Sequence, residues 1–298
     1  MELFKHTRFD FLGKKWPFIC ASLVLTLAGL ISLAVRGGPR YGIEFRGGAV
    51  MEVRWPGAPP IEHIRSTLSA KLSGVSVVAA HDLAGSQEVL ISTQLPDQRD
   101  LPSLRQTISA ALSRYDSDPH WSIRSFEAIG PQIGADLRRQ AMAATVCASA
   151  GMLAYLAWRF QWVYGAAAVV AVVHDTLITV GLFSLANKEI TLTVVAALLT
   201  LIGYSMNDTI VVFDRIRENR KLTPREPLAA IVNRSINQTL SRTVLTSGLT
   251  LLALGGPVLH GFSFALAAGI VVGTYSSIFI ASPILVAWEG RTRRGGAR

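Results

Sequence analysis

Charged side chains are scarce in this 298-residue sequence: they make up 16% of it, against roughly 25% in a typical soluble protein. Half of the residues are hydrophobic, and the two facts together argue against an ordinary soluble enzyme. Cysteine is scarcer still. Cys20 and Cys147 both fall in apolar stretches, so no disulfide framework is implied. Also missing are a Gly-x-Gly-x-x-Gly turn, a Walker loop, a His-Glu-x-x-His pair and a Cys-x-x-Cys pair. Without them the sequence predicts no enzyme, no cofactor or metal site, and no ATP-driven pumping by this chain alone.

What is present is a set of six long apolar stretches, Trp16 to Val35, Ala141 to Trp158, Trp162 to Ala186, Ile190 to Phe213, Thr243 to Leu259 and Gly261 to Trp288. They hold 132 residues and only two formally charged side chains, Asp175 and Asp208. The other 166 residues carry 47 of the 49 charged groups, the density of a surface in water. A helix rising about 1.5 Å per residue needs about 20 residues to cross the hydrocarbon core, and each stretch approaches or exceeds that length. The expected fold is therefore an α-helical polytopic membrane protein with six transmembrane helices. The expected layout is a cytoplasmic N-terminus at 1–15, spans at 16–35, 138–158, 162–186, 190–213, 242–259 and 261–288, an outer domain at 36–137, a cytoplasmic loop at 214–241 and a cytoplasmic tail at 289–298. The first span reads as an uncleaved anchor, because its 20 residues exceed a signal-peptide core and no clear small-residue cleavage site follows.

The net charge of +9 comes from where the basic residues sit. Lys5, Arg8, Lys14 and Lys15 precede the first span, seven basic residues lie from Arg215 to Arg242, and Arg291, Arg293, Arg294 and Arg298 close the tail. The insertion from Arg36 to Leu137 balances ten basic against eleven acidic residues. By the positive-inside rule both termini are cytoplasmic and the insertion is outside, with Arg138 and Arg139 at the outer mouth of span two running against the trend. No basic stripe with interleaved aromatics points to nucleic acid.

The insertion has the pattern of one small folded unit. Gly47 to Trp55 alternates as a strand, and Pro60 to Leu72 has helical spacing at Ile61, Ile64, Leu68 and Leu72. Val75 to Ala80 and Glu88 to Thr93 are two further strands joined by a turn-rich link, a second helix starts at Asp100, and His120 to Ala128 is a fourth strand. The order β-α-β-β-α-β predicts a ferredoxin-like α+β domain between the first two spans. Gly37-Gly38-Pro39 and Gly130-Pro131 read as joints to the membrane. In the cytoplasmic loop Leu228, Ile231, Val232, Ile236 and Leu240 recur at helical intervals, as in an amphipathic helix lying on the membrane surface or packed against a partner's cytoplasmic loop.

A charge at mid-bilayer costs about 2.5–3.5 kcal/mol on insertion scales, so the two intramembrane aspartates need a reason. Asp175 sits near the middle of span three beside His174, as a helix-packing carboxyl or a functional one. Asp208 lies in a small, polar run, Gly203-Tyr204-Ser205-Met206-Asn207-Asp208-Thr209, near the cytoplasmic end of span four. Span five opens on the same side with Arg242, Thr246 and Thr250 at four-residue spacing, a polar stripe down one face. If that stripe faces Asp208, Arg242 and Asp208 pair. Moving them apart and together would then bind and expel a proton, which is the device of a proton-linked machine. Two aspartates on adjacent helices also raise an intramembrane aspartyl protease, opposed by a depth difference of about 12 Å on straight helices and by the lack of Gly-x-Gly-Asp.

The run from Gly203 to Asn219, with Ile236-Asn237-Gln238-Thr239-Leu240-Ser241-Arg242-Thr243, Val173-His174-Asp175 and Ile129-Gly130-Pro131, resembles the SecF family, the smaller membrane subunits of the bacterial SecDF export complex in the resistance-nodulation-division superfamily. The likeness covers nearly the whole chain. One element departs: where the family has Gly-Ile-Asp-Phe-Thr-Gly-Gly, this chain has Gly42-Ile43-Glu44-Phe45-Arg46-Gly47-Gly48. The resemblance implies a subunit of the bacterial inner membrane that pairs with SecD and works with the SecYEG channel, with SecA and YajC as further or indirect partners. Protons are its coupling ion, and it uses their gradient to promote late steps of preprotein export. It also implies that Asp208 and Arg242 lie on the proton path, with Asp175, His174, Asn207 and Thr246 as secondary intramembrane polar groups. Two other readings stand beside it, a scaffold for SecD and a half-size small-molecule exporter of the same superfamily.

Overall fold

The computed structural model describes residues 7–55, 57, 59–81, 87–94, 101–113, 121–159, 162–253 and 260–295. The turn expected at 82–86, the start of the second outer helix at Asp100 and the outer end of the fifth apolar stretch, 254–259, lie outside these residues. Four helical stretches are long and apolar enough to cross a membrane: Lys15–Val35, Trp162–Leu185, Leu192–Leu222 and Gly261–Glu289.

The first of these, α1 (Lys15–Val35), buries only Ser22 and Gly29. Its apolar residues face outward while its small and polar residues face the bundle, the inverse of a water-soluble helix and the arrangement that lipid favours. Gly37 and Gly38 then end it: Gly38 N–H donates to Leu33 O at 2.8 Å and Gly37 N–H to Ala34 O at 3.2 Å, a Schellman cap built on two positive φ angles. The joint expected at Gly37-Gly38 is thus a helix cap. The chain continues through α2 (Ile43–Arg46) into the α+β unit between α1 and α5.

There the order is β1 (Gly48–Trp55), α3 (Ile61–Ser69), β2 (Ser76–His81), β3 (Gln87–Thr93), α4 (Leu101–Leu112) and β4 (Ser122–Ile129). The strands form one sheet in the order β2-β3-β1-β4, every neighbour antiparallel, with a register shift between Glu52 and Val53 where β1 meets β4. Strand alternation sends Met51, Val53, Val89 and Ile91 to one face, where Ile64 and Leu68 of α3 and Ile108 and Leu112 of α4 cover them. Each side chain so buried contributes about 1.5–3 kcal/mol, which gives the unit a core of its own.

Pro131, at the first helical position, opens α5 (Pro131–Arg159), which carries the second apolar stretch and extends it outward past Arg138 and Arg139. Next come α6 (Trp162–Leu185) and α7 (Leu192–Leu222). Thr191 caps α7 by accepting from Val194 N–H at 3.3 Å, and Arg220 and Lys221 in its last turn complement the helix dipole. Helix α7 thus runs nine residues past the end expected at Phe213.

The amphipathic segment and the described part of the fifth apolar stretch are one continuous helix, α8 (Leu228–Ala253). The apolar face expected on a membrane surface or a partner loop is instead spent inside the chain: Ile231, Val232 and Ile236 are buried in the same core as Phe213 and Ile216 of α7. The last stretch is α9 (His260–Ser276), a π-helical segment Ser277–Ala281 and α10 (Ser282–Gly295). Glycine lets the helices close up at two points. A Cβ on Gly29 would lie 2.7 Å from Gly181 Cα, and one on Gly273 would lie 3.0 Å from Ser205 Cβ, so α1 meets α6 and α9 meets α7 almost backbone to backbone.

The residues before α1 are hooked onto α8. Asn233 Oδ1 accepts from Phe11 and Leu12 N–H, and Asn237 exchanges two 2.9 Å bonds with the Phe9 backbone. Asn233 also donates to Asp10, whose carboxyl is held below the usual carboxylate range by the Gly13 N–H first and by Asn233 second.

Candidate functional site

Asp208 lies on the inward face of α7, 2% exposed. The α8 residue that meets it is Ser247, and Thr243, one helical turn earlier, is buried as well. Ser247 Oγ donates to Asp208 Oδ2 at 3.5 Å and is joined at 2.7 Å to Thr274 Oγ1 of α9. Arg242 is one residue, about 100°, around α8 from Thr243, and it is exposed. Among the described residues Arg242 forms no ion pair with Asp208, so the expected pair is not closed in this structure. Thr246 turns back on its own helix, donating at 3.0 Å to Arg242 O, and Thr250 meets Tyr204 of α7 at 3.0 Å.

Arg242 lines an open cleft of about 500 Å³ instead. Asn207, next to Asp208, lines it too, with Asp214, Arg215, Glu218 and Gln238. Arg215 is engaged there, donating to Gln238 at 2.7 Å and to Glu218 at 2.6 Å. A buried carboxyl with hydroxyl neighbours thus stands one residue behind a charged, water-accessible cleft, with Arg242 on the cleft wall.

Asp175 on α6 is 1% exposed and far better furnished. Its Oδ2 accepts from Ser205 Oγ of α7 at 2.5 Å and from Ser276 Oγ of α9 at 2.8 Å. Its Oδ1 lies 2.9 Å from His174 Nδ1, and His174 Nε2 is hydrogen-bonded to Ser22 Oγ of α1. One carboxyl and its imidazole thereby tie four helices together. Sequence reasoning singled out Asp175 and His174 but missed Ser22, Ser205, Ser247, Thr274 and Ser276. The signal is weak, since hydroxyls in apolar helices commonly bond back to their own turn, as Thr26, Thr176 and Thr209 do here.

The departing motif sits between α1 and β1, beside the link from α6 to α7. Gly42 N–H donates to Ile190 O at 2.8 Å and Ile190 N–H to Arg40 O at 2.7 Å, docking the chain after α1 onto the link between α6 and α7. Arg40 and Arg46 reach Glu189 at 3.6 and 3.3 Å. Arg138, the residue that ran against the charge trend, stands 5.6 Å over the Tyr41 ring as a cation–π partner. Glu44 Oε2 is buried with no hydrogen-bond partner, and burial pushes its carboxyl above the ordinary range, with Glu189 and Glu127 adding to the rise. Among the described residues no three His, Cys, Asp or Glu side chains gather to hold a metal.

Residues 108–291 match the family model described as protein export membrane protein SecD/SecF, C-terminal. The chain belongs to the SecF family. The SecF subunit of Koribacter versatilis is 41% identical, with all of this chain and 96% of that one covered. The SecF of Desulfurispirillum indicum is 43% identical over 92% of this chain and 89% of its own. The fused SecDF of Thermus thermophilus is 39% identical over 96% of this chain and 39% of its own length. Among solved structures, the SecDF of the same organism, described as a translocon-associated membrane protein, superposes with a TM-score of 0.81 at 38% identity, covering 97% of this chain and 40% of that one. A SecDF in a form called super-membrane-facing gives 0.71 at 39% identity, covering 98% of this chain and 40% of that one. The chain therefore spans about two fifths of the fused SecDF proteins and is a membrane subunit of protein translocase type.

Proposed function

We propose that this SecF subunit is a non-enzymatic, proton-coupled part of a SecDF complex, in which Asp208 takes up and releases the proton and Arg242 is its switchable partner. The observation that carries the reading is the placement of Asp208. It is 2% exposed, accepts a hydrogen bond from the Ser247 hydroxyl, and lies one residue behind the cleft that Arg242 lines. A carboxyl so placed is costly when charged and alone, and a guanidinium that swings in from the cleft wall removes that cost. The separated arrangement is the proton-loaded half of such a cycle.

The same reading gives α5 and α8 to the membrane as the second and fifth of six spans. Their 29 and 26 residues suffice for the crossing, and their Ala, Gly, Ser and Thr lower hydropathy while suiting helix contact. Both termini are cytoplasmic and the βαββαβ unit is a ferredoxin-like periplasmic domain, a reading supported by its strand order β2-β3-β1-β4. The fused relative supports SecD as the partner, and the outward-facing apolar residues of α1, Leu23, Val24, Leu27 and Ile31, suit lipid or a partner subunit. SecYEG, with SecA and YajC, is the machinery it serves in late preprotein export in the bacterial inner membrane.

The Ser22–His174–Asp175 connectivity is that of a nucleophilic triad, but Ser22 lies inside a regular helix whose amides are engaged, which leaves no donors for an oxyanion. The test is export of a secreted reporter in a strain lacking its own SecF, complemented with wild type or Asp208→Asn, with SecD co-purification scored in parallel. Lost export with SecD still bound supports the reading. Normal export by Asp208→Asn contradicts it and leaves SecF as a scaffold.

A further inference from the structure

Asp175 has no part in the switch just described, yet its carboxyl collects more contacts than Asp208. A carboxyl 1% exposed among apolar helices needs a compensating proton or cation. The group that touches it and can carry either is His174, which keeps 14% of its side chain exposed. Among the other titratable groups, Tyr275 of α9 faces the pair with its ring centroid 6.3 Å from the imidazole, and Asp208 is the next carboxyl along α7, one turn beyond Ser205. Helix α1 presents the Ser22 hydroxyl, and the π-helical segment presents no ionisable group.

We propose that the His174–Asp175 pair is a second proton-binding station, which reports its load to α1 through Ser22. This rests on the proton-coupled reading above and adds a site to it. In the unloaded station His174 Nδ1–H donates to Asp175 Oδ1, so Nε2 offers its lone pair to the Ser22 hydroxyl. Uptake of one proton at Nε2 makes an imidazolium that balances the carboxylate. Nε2–H then donates to Ser22 Oγ, and the Ser22 proton must turn to another acceptor. The Phe18 carbonyl, one turn earlier on α1, is in place, and it already accepts from Tyr275 OH at 2.8 Å. Loading the station therefore alters bonds on α1 and α9 together, and release of the proton restores them with no heavy-atom bond made or broken.

The two stations share their supports. Ser205 holds Asp175 three residues before Asp208 on α7. On α9, Ser276 holds Asp175 two residues after Thr274, which meets Ser247, the donor to Asp208. A shift of α9 that loosens one carboxyl acts on the other. The π-helical segment beginning at Ser277 is where α9 has slack for such a shift.

The test is ¹⁵N NMR of histidine-labelled wild-type chain, co-purified with its SecD and reconstituted in lipid, with His174→Asn used to assign the signal. The expected result is conversion of His174 from the Nδ1–H tautomer to imidazolium as the pH is lowered from 9 to 5. Asp175→Asn should weaken that proton affinity roughly tenfold or more, one pH unit of midpoint. A His174 signal unchanged from pH 5 to 9 in wild type overturns the station whatever the variants do, and the pair is then only a helix tie. The two proposals fail separately. A titrating His174 with normal export by Asp208→Asn removes the Asp208 switch and keeps the station, while a silent His174 with export lost in Asp208→Asn does the reverse.

Discussion

Ser276 Oγ donates a 2.8 Å hydrogen bond to Asp175 Oδ2 at the last residue of α9, immediately before the chain widens into the π-helical segment Ser277–Ala281. At the far end of the wider turn Ser282 Oγ donates to Ser277 O at 2.8 Å. A buried carboxyl and an irregular helix turn are thus stabilised by adjacent hydroxyls. Ser276→Ala and Ser205→Ala should each cost about 1–3 kcal/mol, because each leaves Asp175 Oδ2 with one donor in a dry site. The double variant should cost more than the sum of the two, since Oδ2 then has neither donor. Thermal unfolding of the purified complex checks this, and additive small losses would contradict it.

The contact between Gly29 and Gly181 sets how closely α1 lies on α6, and Ser22–His174 and Ser32–Ser184 bracket it. Gly181→Val should push α1 outward and cost about 1–3 kcal/mol of stability, as overpacking does. Cysteines placed at Ser32 and Ser184 should then cross-link more slowly than in the parent. Unchanged cross-linking would show that α1 is held by something else.

Glu44 gives a pH dependence whose sign is fixed by its burial. Its folded pKa lies above the ordinary value of 4.5, so the folded state favours the protonated carboxyl. The resulting penalty is fully present above the folded pKa and vanishes as pH falls below the unfolded one. Glu44→Gln should accordingly raise the melting temperature at pH 7.5 by about 1–3 °C, and the two proteins should converge near pH 4. A variant less stable at pH 7.5 would mean that the carboxylate has a cationic partner there.

The hook of Phe9–Gly13 on Asn233 and Asn237 protects the basic residues Lys14 and Lys15 that follow it. Each lost hydrogen bond is worth about 0.5–1.5 kcal/mol, and Asn233→Ala with Asn237→Ala removes five of them, so the open population, and the rate of limited tryptic cleavage there, should rise roughly a hundredfold or more. Equal cleavage rates would mean that the segment is held by Phe11 and Leu12 in the core alone.

The elements that follow from local pattern were legible in the sequence. Period-2 and period-3.6 spacing placed β1 to β4 within one or two residues and α3 within three, and the two lone charges in apolar stretches led to Asp175 and Asp208. What was not legible depended on rotation and packing between helices. Arg242, Thr246 and Thr250 do recur at four-residue spacing, but the α8 side chain bonded to Asp208 is Ser247, one residue around from that stripe. A shift of one residue moves a helix face by about 100°, and spacing alone does not fix it. The apolar face of α8 was visible at Ile231, Val232 and Ile236, yet its partner was the extension of α7 beyond Phe213, a charged segment that reads as an exposed loop. The hydroxyls around Asp175 were hidden because inter-helix and back-bonded serines look alike in sequence.

The central claim is that protonation of Asp208 couples the membrane gradient to export, and energised inner-membrane vesicles test it most directly. Export of a preprotein should be measured in vesicles carrying the chain with its SecD, with and without an uncoupler, for wild type and Asp208→Asn. The account predicts that the uncoupler lowers wild-type export, and that Asp208→Asn exports at the uncoupled level whether or not the gradient is present. Gradient-stimulated export by Asp208→Asn at the wild-type level would contradict it.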